Sequence, residues 1–207
     1  LSDEPLVRLR AALSGSSEAL RPVAALDLPP TLRELMTADN IAALKQAAVL
    51  IPILMHDAAA TILLTRRADT LRQHRGQISF PGGRRDDADL NITAAALREA
   101  QEEVGLAPQA VEVLGYLDDH PTFSGYRITP VVGVVAGAFT PQTNPQEVAE
   151  AFELPLAYLF DDARFERKQL STGGHRVPYL ELRHGEYVIW GVTAGILWNL
   201  HQRLIET

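Results

Sequence analysis

The sequence predicts an α/β fold in which a mixed β-sheet lies between helices. Strand-like and helix-like segments are interleaved along the chain, the pattern of an α/β protein. Several neighbouring strands are joined by turns too short to hold a crossover helix, so their pairing is antiparallel and the sheet is not doubly wound. The 207 residues, 46% apolar and 22% charged, are enough for one domain with its own core plus terminal elements.

Residues 1–45 read as an N-terminal accessory helical segment, and residues 46–207 as the main domain. Ser2 is placed to cap a helix through Leu6, Leu9 and Leu13, whose spacing makes one apolar face, and Gly15-Ser16-Ser17 breaks it. Pro22, Pro29 and Pro30 hold off further helix until about Leu32, and residues 42–46 read as a short helix. Residues 47–54 and 60–65 then make a hairpin around the turn 56–59, with Pro52 suggesting an edge position or a bulge. Residues 71–79 are polar and read as loop, and Pro81-Gly82-Gly83 is a backbone breaker. A helix follows over 92–104, closed by Gly105 with Pro108 beyond. Residues 111–117 and 129–136 read as strands, and a loop with Pro141 and Pro145 leads into an acidic stretch, 147–153. Residues 177–182 and 186–189 form a second hairpin around His184-Gly185, and a helix over about 193–205 ends the chain.

Helix 92–104 carries the chemistry. At about 100° per residue, Glu102 and Glu103 fall about 60° and 40° to either side of Glu99, so the three carboxylates share an arc of roughly 100°. Leu97, Ala100 and Val104 face the other way, toward a core. Such a trio alone is usually a solvated acidic face. Here no basic residue stands four places after any of the three, and Arg98 is the one nearby cation. A hard divalent cation would relieve that repulsion, because it prefers oxygen ligands. The preceding Gly82-Gly83 lets backbone approach a ligand closely, and a carbonyl there would complete the ligand shell.

The segment resembles the Nudix box, G-x5-E-x7-R-E-U-x-E-E-x-G-U, in which U is a bulky aliphatic residue. Gly83 opens it, Arg98-Glu99 and Glu102-Glu103 fill its centre, and Gly105-Leu106 closes it. Asp89 stands where Glu is usual, one extra residue precedes Arg98, and Ala100 replaces an aliphatic residue. Residues 63–67 and 71–83, with 124–133 and 190–194, are similar to the coenzyme A diphosphatase branch of that superfamily, which accommodates the extra residue.

The resemblance implies a Nudix-type α/β/α sandwich and metal-dependent hydrolysis of the diphosphate bond of coenzyme A or acyl-CoA. ADP-ribose, a dinucleotide or a nucleoside triphosphate are the alternative substrates, and a Nudix-fold nucleotide-binding module without catalysis is a third reading. It implies Mg²⁺ or Mn²⁺ on Glu99, Glu102, Glu103 and the Gly83 carbonyl, with Arg98 orienting a glutamate. Arg67, Arg72, Phe80 and Gly82 are implied in substrate binding. The general base is Glu102 on the helix, or Glu147 or Glu150 in the acidic stretch. Arg75 and His74 read as ordinary loop residues, and His120 and His175 show no partner pattern.

Composition narrows the partners. A formal net charge of -7 argues against nucleic acid and leaves room for a local basic patch that holds a small phosphorylated molecule. The absence of cysteine excludes disulfides, thiolate metal sites and cysteine nucleophiles. No apolar run approaches the ~20 residues of a membrane helix. The opening residues lack the pattern of a secretory signal, so a cytoplasmic location is expected. Residues 1–45 are left three roles: covering the core, pairing two subunits as a homodimer, or closing over substrate.

Overall fold

The computed structural model describes residues 4–19, 21–24, 26, 33–34, 36–70, 75–172 and 174–206. The proposed Ser2 cap, Arg72 and His74 lie outside them. The central sheet has eight strands. Strands β1 (Lys45–Met55), β2 (Ala60–Arg67), β3 (Ile78–Ser79), β5 (Val111–Tyr116) and β7 (Tyr126–Val135) lie in the order β3-β2-β1-β7-β5. Short β4 (Gly82–Arg84) adds to β1, β6 (His120–Pro121) to β7, and β8 (Val148–Pro155) to β2. Among the described strands of this sheet only β1 and β7 pair in parallel, from Lys45 opposite Tyr126 to Leu54 opposite Val135. The sheet is therefore mixed, as expected.

Side-chain alternation along β1 builds a core on each face. Leu50 and Leu54 point to the face covered by α3 (Ile92–Val104), where Ile92, Ala95, Ala96, Ala100 and Val104 are buried. Ile51 and Ile53 point to the other face. There they meet Leu9 and Leu13, at and just beyond helix α1 (Glu4–Ala12), and Ile196, Leu197, Leu200 and Leu204 of α4 (Gly191–Ile205). This is the α/β/α layering. A second sheet, β9 (Glu166–Thr172), β10 (His175–His184) and β11 (Tyr187–Trp190), is antiparallel in the order β11-β10-β9.

Several local readings change, among them the loop read over 71–79, whose last two residues are strand β3. Residues 42–46 are not a helix: α2 covers Ala38–Ala42 and β1 begins at Lys45. Pro52 is not on an edge but in a central strand. It sits between Val49, paired to β4, and Ile53, paired to β2, where β1 changes partners. Leu50 donates its N–H to Pro81 on that side, so by alternation the Pro52 nitrogen faces the gap and removes no ladder bond. Gly82-Gly83, read as a breaker of regular structure, is itself strand β4. The acidic stretch 147–153 becomes β8, antiparallel to β2. No helix among the described residues is long and apolar enough to cross a membrane.

Candidate active site

Helix α3 has the limits its sequence predicts. Asn91 caps its start by accepting the Ala94 N–H at 2.8 Å. Gly105 ends it in the left-handed region (φ +72°), with its N–H on the carbonyls of Ala100 and Gln101. With its apolar face on the sheet, the acidic stripe is divided by burial. Glu103 is 2% exposed, Glu99 is half-buried and Glu102 is exposed.

The two glycines of β4 do different things. A Cβ at Gly82 would stand 2.3 Å from the Ala48 carbonyl oxygen, so glycine is what lets β4 lie against β1. A Cβ at Gly83 would stand 2.5 Å from Glu99 Oε1, so Gly83 makes room for the carboxylate itself. The Gly82 N–H donates to Glu103 Oε2 at 3.3 Å. The close approach predicted from Gly82-Gly83 is thus used first by two side chains of α3.

A third carboxylate arrives from outside the helix. The Glu147 carbonyl accepts the Ala68 N–H at 2.8 Å, which ties the start of β8 to the end of β2. One carboxylate oxygen each from Glu99, Glu103 and Glu147 lie within 4.8 Å of one another. Glu102 is not in that group. Its Oε2 is held at 3.0 Å by Arg98 Nη1, the i,i+4 pairing in the order that the count of following basic residues overlooks.

Arg98 organises this edge. Its Nε and Nη2 donate to the two oxygens of Asp89 at 2.9 and 3.1 Å, and Nη1 reaches Glu99 Oε1 at 3.0 Å. Nη2 also donates to the Arg84 carbonyl at 3.1 Å. The fork goes to Asp89, and that bond holds Asp89 below the usual carboxylate range despite its burial. The residue that departs from the Nudix pattern therefore anchors the arginine.

Burial dominates the electrostatics. It pushes Glu103 up to about 8, against the lowering effects of Arg67 and the Gly82 N–H, while Glu99 and Glu147 add like charge. Glu99 is also raised, first by burial and then against the pull of Arg98. Arg67 Nη1 is 3.9 Å from Glu103 Oε1, and its Nε is buried with no hydrogen-bond partner. Three converging oxygen donors, one costly to ionise where it stands, fit a hard divalent cation such as Mg²⁺ or Mn²⁺.

Other candidates scatter. Phe80, 2% exposed, is a core side chain. Glu150 pairs with Arg66 Nε at 2.7 Å rather than joining the cluster. Arg75 is exposed. His120 is held neutral by burial. Surface concavities of about 480 and 270 Å³ lie against α1 and α4, and neither is lined by a residue of the acidic cluster.

The NUDIX domain model matches residues 44–172. The chain is 46% identical over 180 residues to the uncharacterized Nudix hydrolase NudL of Pectobacterium atrosepticum, covering 84% of this chain and 88% of that one. Its likeness to NudL of Cronobacter sakazakii is 44% over 164 residues, 78% and 84% of the two chains. Among solved structures, RenU, a Nudix hydrolase from M. smegmatis, is 26% identical with a TM-score of 0.45, over 55% of this chain and 71% of that one. The family model and the sequence relatives establish that this chain belongs to the Nudix hydrolase family.

Proposed function

We propose that this Nudix hydrolase cleaves the diphosphate of a nucleotide-containing small molecule beside Glu99, Glu103 and Glu147. The observation that carries the reading is the convergence of those three carboxylates from a helix and a distant loop. A bound Mg²⁺ or Mn²⁺ supplies positive charge that neutralises diphosphate oxygens and favours hydroxide near neutral pH. Glu99, Glu103 and Glu147 would hold it, and the Gly83 carbonyl is the backbone candidate beside them. Arg98 fixes the Glu99 and Glu102 carboxylates, so neither has to be reoriented when substrate arrives. Arg67, whose partly exposed side chain places Nη1 3.9 Å from Glu103 Oε1, would supply a cation beside the site for a phosphoryl oxygen. Proton acceptance from the attacking water falls to Glu102 or Glu147, and replacing each by Gln separates them through the acid limb of the pH–rate profile.

For the substrate, the stretch from Leu63 to Gly83 supports coenzyme A or acyl-CoA, giving 3′,5′-ADP and (acyl-)4′-phosphopantetheine. ADP-ribose, a dinucleotide or a nucleoside triphosphate would use the same cluster and are the competing reading. The test is incubation with Mg²⁺ or Mn²⁺ and a panel of these diphosphates, with products identified by mass. Faster turnover of ADP-ribose, NADH or dephospho-coenzyme A than of coenzyme A overturns the coenzyme A reading. No turnover of any, with unchanged ligand binding in Glu103→Gln, overturns catalysis at this cluster.

A further inference from the structure

Helix α3 is badly matched to its own dipole. It has no acidic residue in its first turn and no basic residue in its last, while Glu102 and Glu103 stand near its negative end. The missing anion comes from residues before the matched NUDIX domain. Glu18 Oε1 accepts the Ile92 N–H at 2.9 Å, and Glu18 Oε2 accepts the Thr93 hydroxyl at 3.2 Å. Thr93 Oγ1 is in turn 2.8 Å from the Tyr116 hydroxyl, on β5. Asn91 satisfies the Ala94 N–H, so the first turn is shared between a local cap and a carboxylate 74 residues away.

Glu18 is itself held. Ser16 Oγ accepts the Tyr116 N–H at 3.0 Å along the edge strand β5, and Arg10 pairs with Glu112 of the same strand at 2.7 Å. A Cβ at Gly115 would stand 2.4 Å from Ser16 Oγ, so that glycine is what admits the segment. Further along, Arg21 Nε binds the fully buried Asp119 at 2.8 Å. Residues 10–19 therefore run as a strap from the sheet edge to the start of α3.

We propose that Glu18 is a positioning residue for the cation site. It resists displacement of α3 toward its C-terminus, and so holds Glu99 and Glu103 in register with Glu147, which is fixed separately to β2. The proposal rests on the reading of those three carboxylates as the cation site.

The test is calorimetric titration of the full chain with Mn²⁺ alone, alongside thermal melting. Glu18→Ala is expected to weaken Mn²⁺ binding by about three- to tenfold, the scale of losing a cap and its charge. Glu18→Gln is expected to recover most of that affinity, because its amide still accepts from Ile92 N–H and can donate to Thr93 Oγ1. Thr93→Val removes one of the two contacts and should fall between Glu18→Ala and the parent chain. A lower melting temperature with unchanged Mn²⁺ affinity in Glu18→Ala, or in Thr93→Val should Glu18→Ala not fold, makes the contact merely structural and overturns the proposal. Absence of Mn²⁺ binding by the parent chain overturns the site reading instead.

Discussion

Glu103 has to carry a charge where water is nearly excluded, and its protonation shows the cost. Its folded value of about 8 lies above the ordinary 4.5, so the cation-free folded protein keeps a proton that the unfolded chain has lost. That contribution is fully present below pH 4.5 and disappears as pH rises through 8. Glu103→Gln keeps an oxygen for the Gly82 N–H without the charge. In chelator it should melt higher than the parent at pH 8 and nearly equal to it at pH 4.5, while turnover falls by at least about 100-fold. Equal melting at both values would show that burial does not burden Glu103. Arg98 poses the opposite case, since its guanidinium serves Asp89, Glu99 and Glu102 together. Lysine cannot reproduce that fork, so Arg98→Lys should cost about 10–100-fold in kcat/KM although charge is kept. A loss under about threefold would mean the orientation is supplied elsewhere.

At the scale of elements, β4 separates two effects that its sequence joins. Gly82→Ala sets a methyl against the Ala48 carbonyl in the middle of the sheet and should lower stability by about 1–3 kcal/mol, seen as a reduced denaturation midpoint. Gly83→Ala sets it against the Glu99 carboxylate, a flexible side chain, and should lower activity with little change in that midpoint. The reverse pattern would contradict the roles given to these glycines. α3 was legible because its signals are local: apolar spacing at three and four and a closing glycine, while its Asn91 cap was read only from the structure. β8 was not, because Glu147, Glu150 and Glu153 mask a strand whose only fully buried members are Val148 and Leu154. Its strand character comes from pairing with β2, from Arg67 opposite Val148 to Thr61 opposite Pro155.

Taken whole, the molecule is closed by parts outside the matched domain. Leu9 is completely buried in the core under α4, so Leu9→Ala should destabilise the protein by about 2–5 kcal/mol in urea denaturation. A cost below about 0.5 kcal/mol would make α1 a detachable cover. Acid acts through His120, which burial holds at about 4, below its ordinary 6.5. The unfolded chain takes up that proton first, so stability present above pH 6.5 is lost as pH falls toward 4. His120→Gln should show a shallower decline over that window, and the difference between the two melting curves removes the opposite slope that Glu103 imposes on both. Parallel curves would mean His120 titrates normally.

Residues 92–106 announced their helix, its end and an acidic stripe beside Gly82-Gly83, because helical geometry relates residues only three or four places apart. Resemblance in the same residues was enough to place the family. Tertiary structure decided which carboxylates converge. It buried Glu103, left Glu102 exposed on Arg98, brought in Glu147 by pairing β8 with β2, and set Glu18 at the head of α3. It also gave Asp89 to Arg98 across nine residues of loop and helix. The arrival of Glu147 and of Glu18 depends on contacts between distant segments that no local spacing in the chain encodes, whereas the Arg98–Glu102 pair is a local one, four places apart.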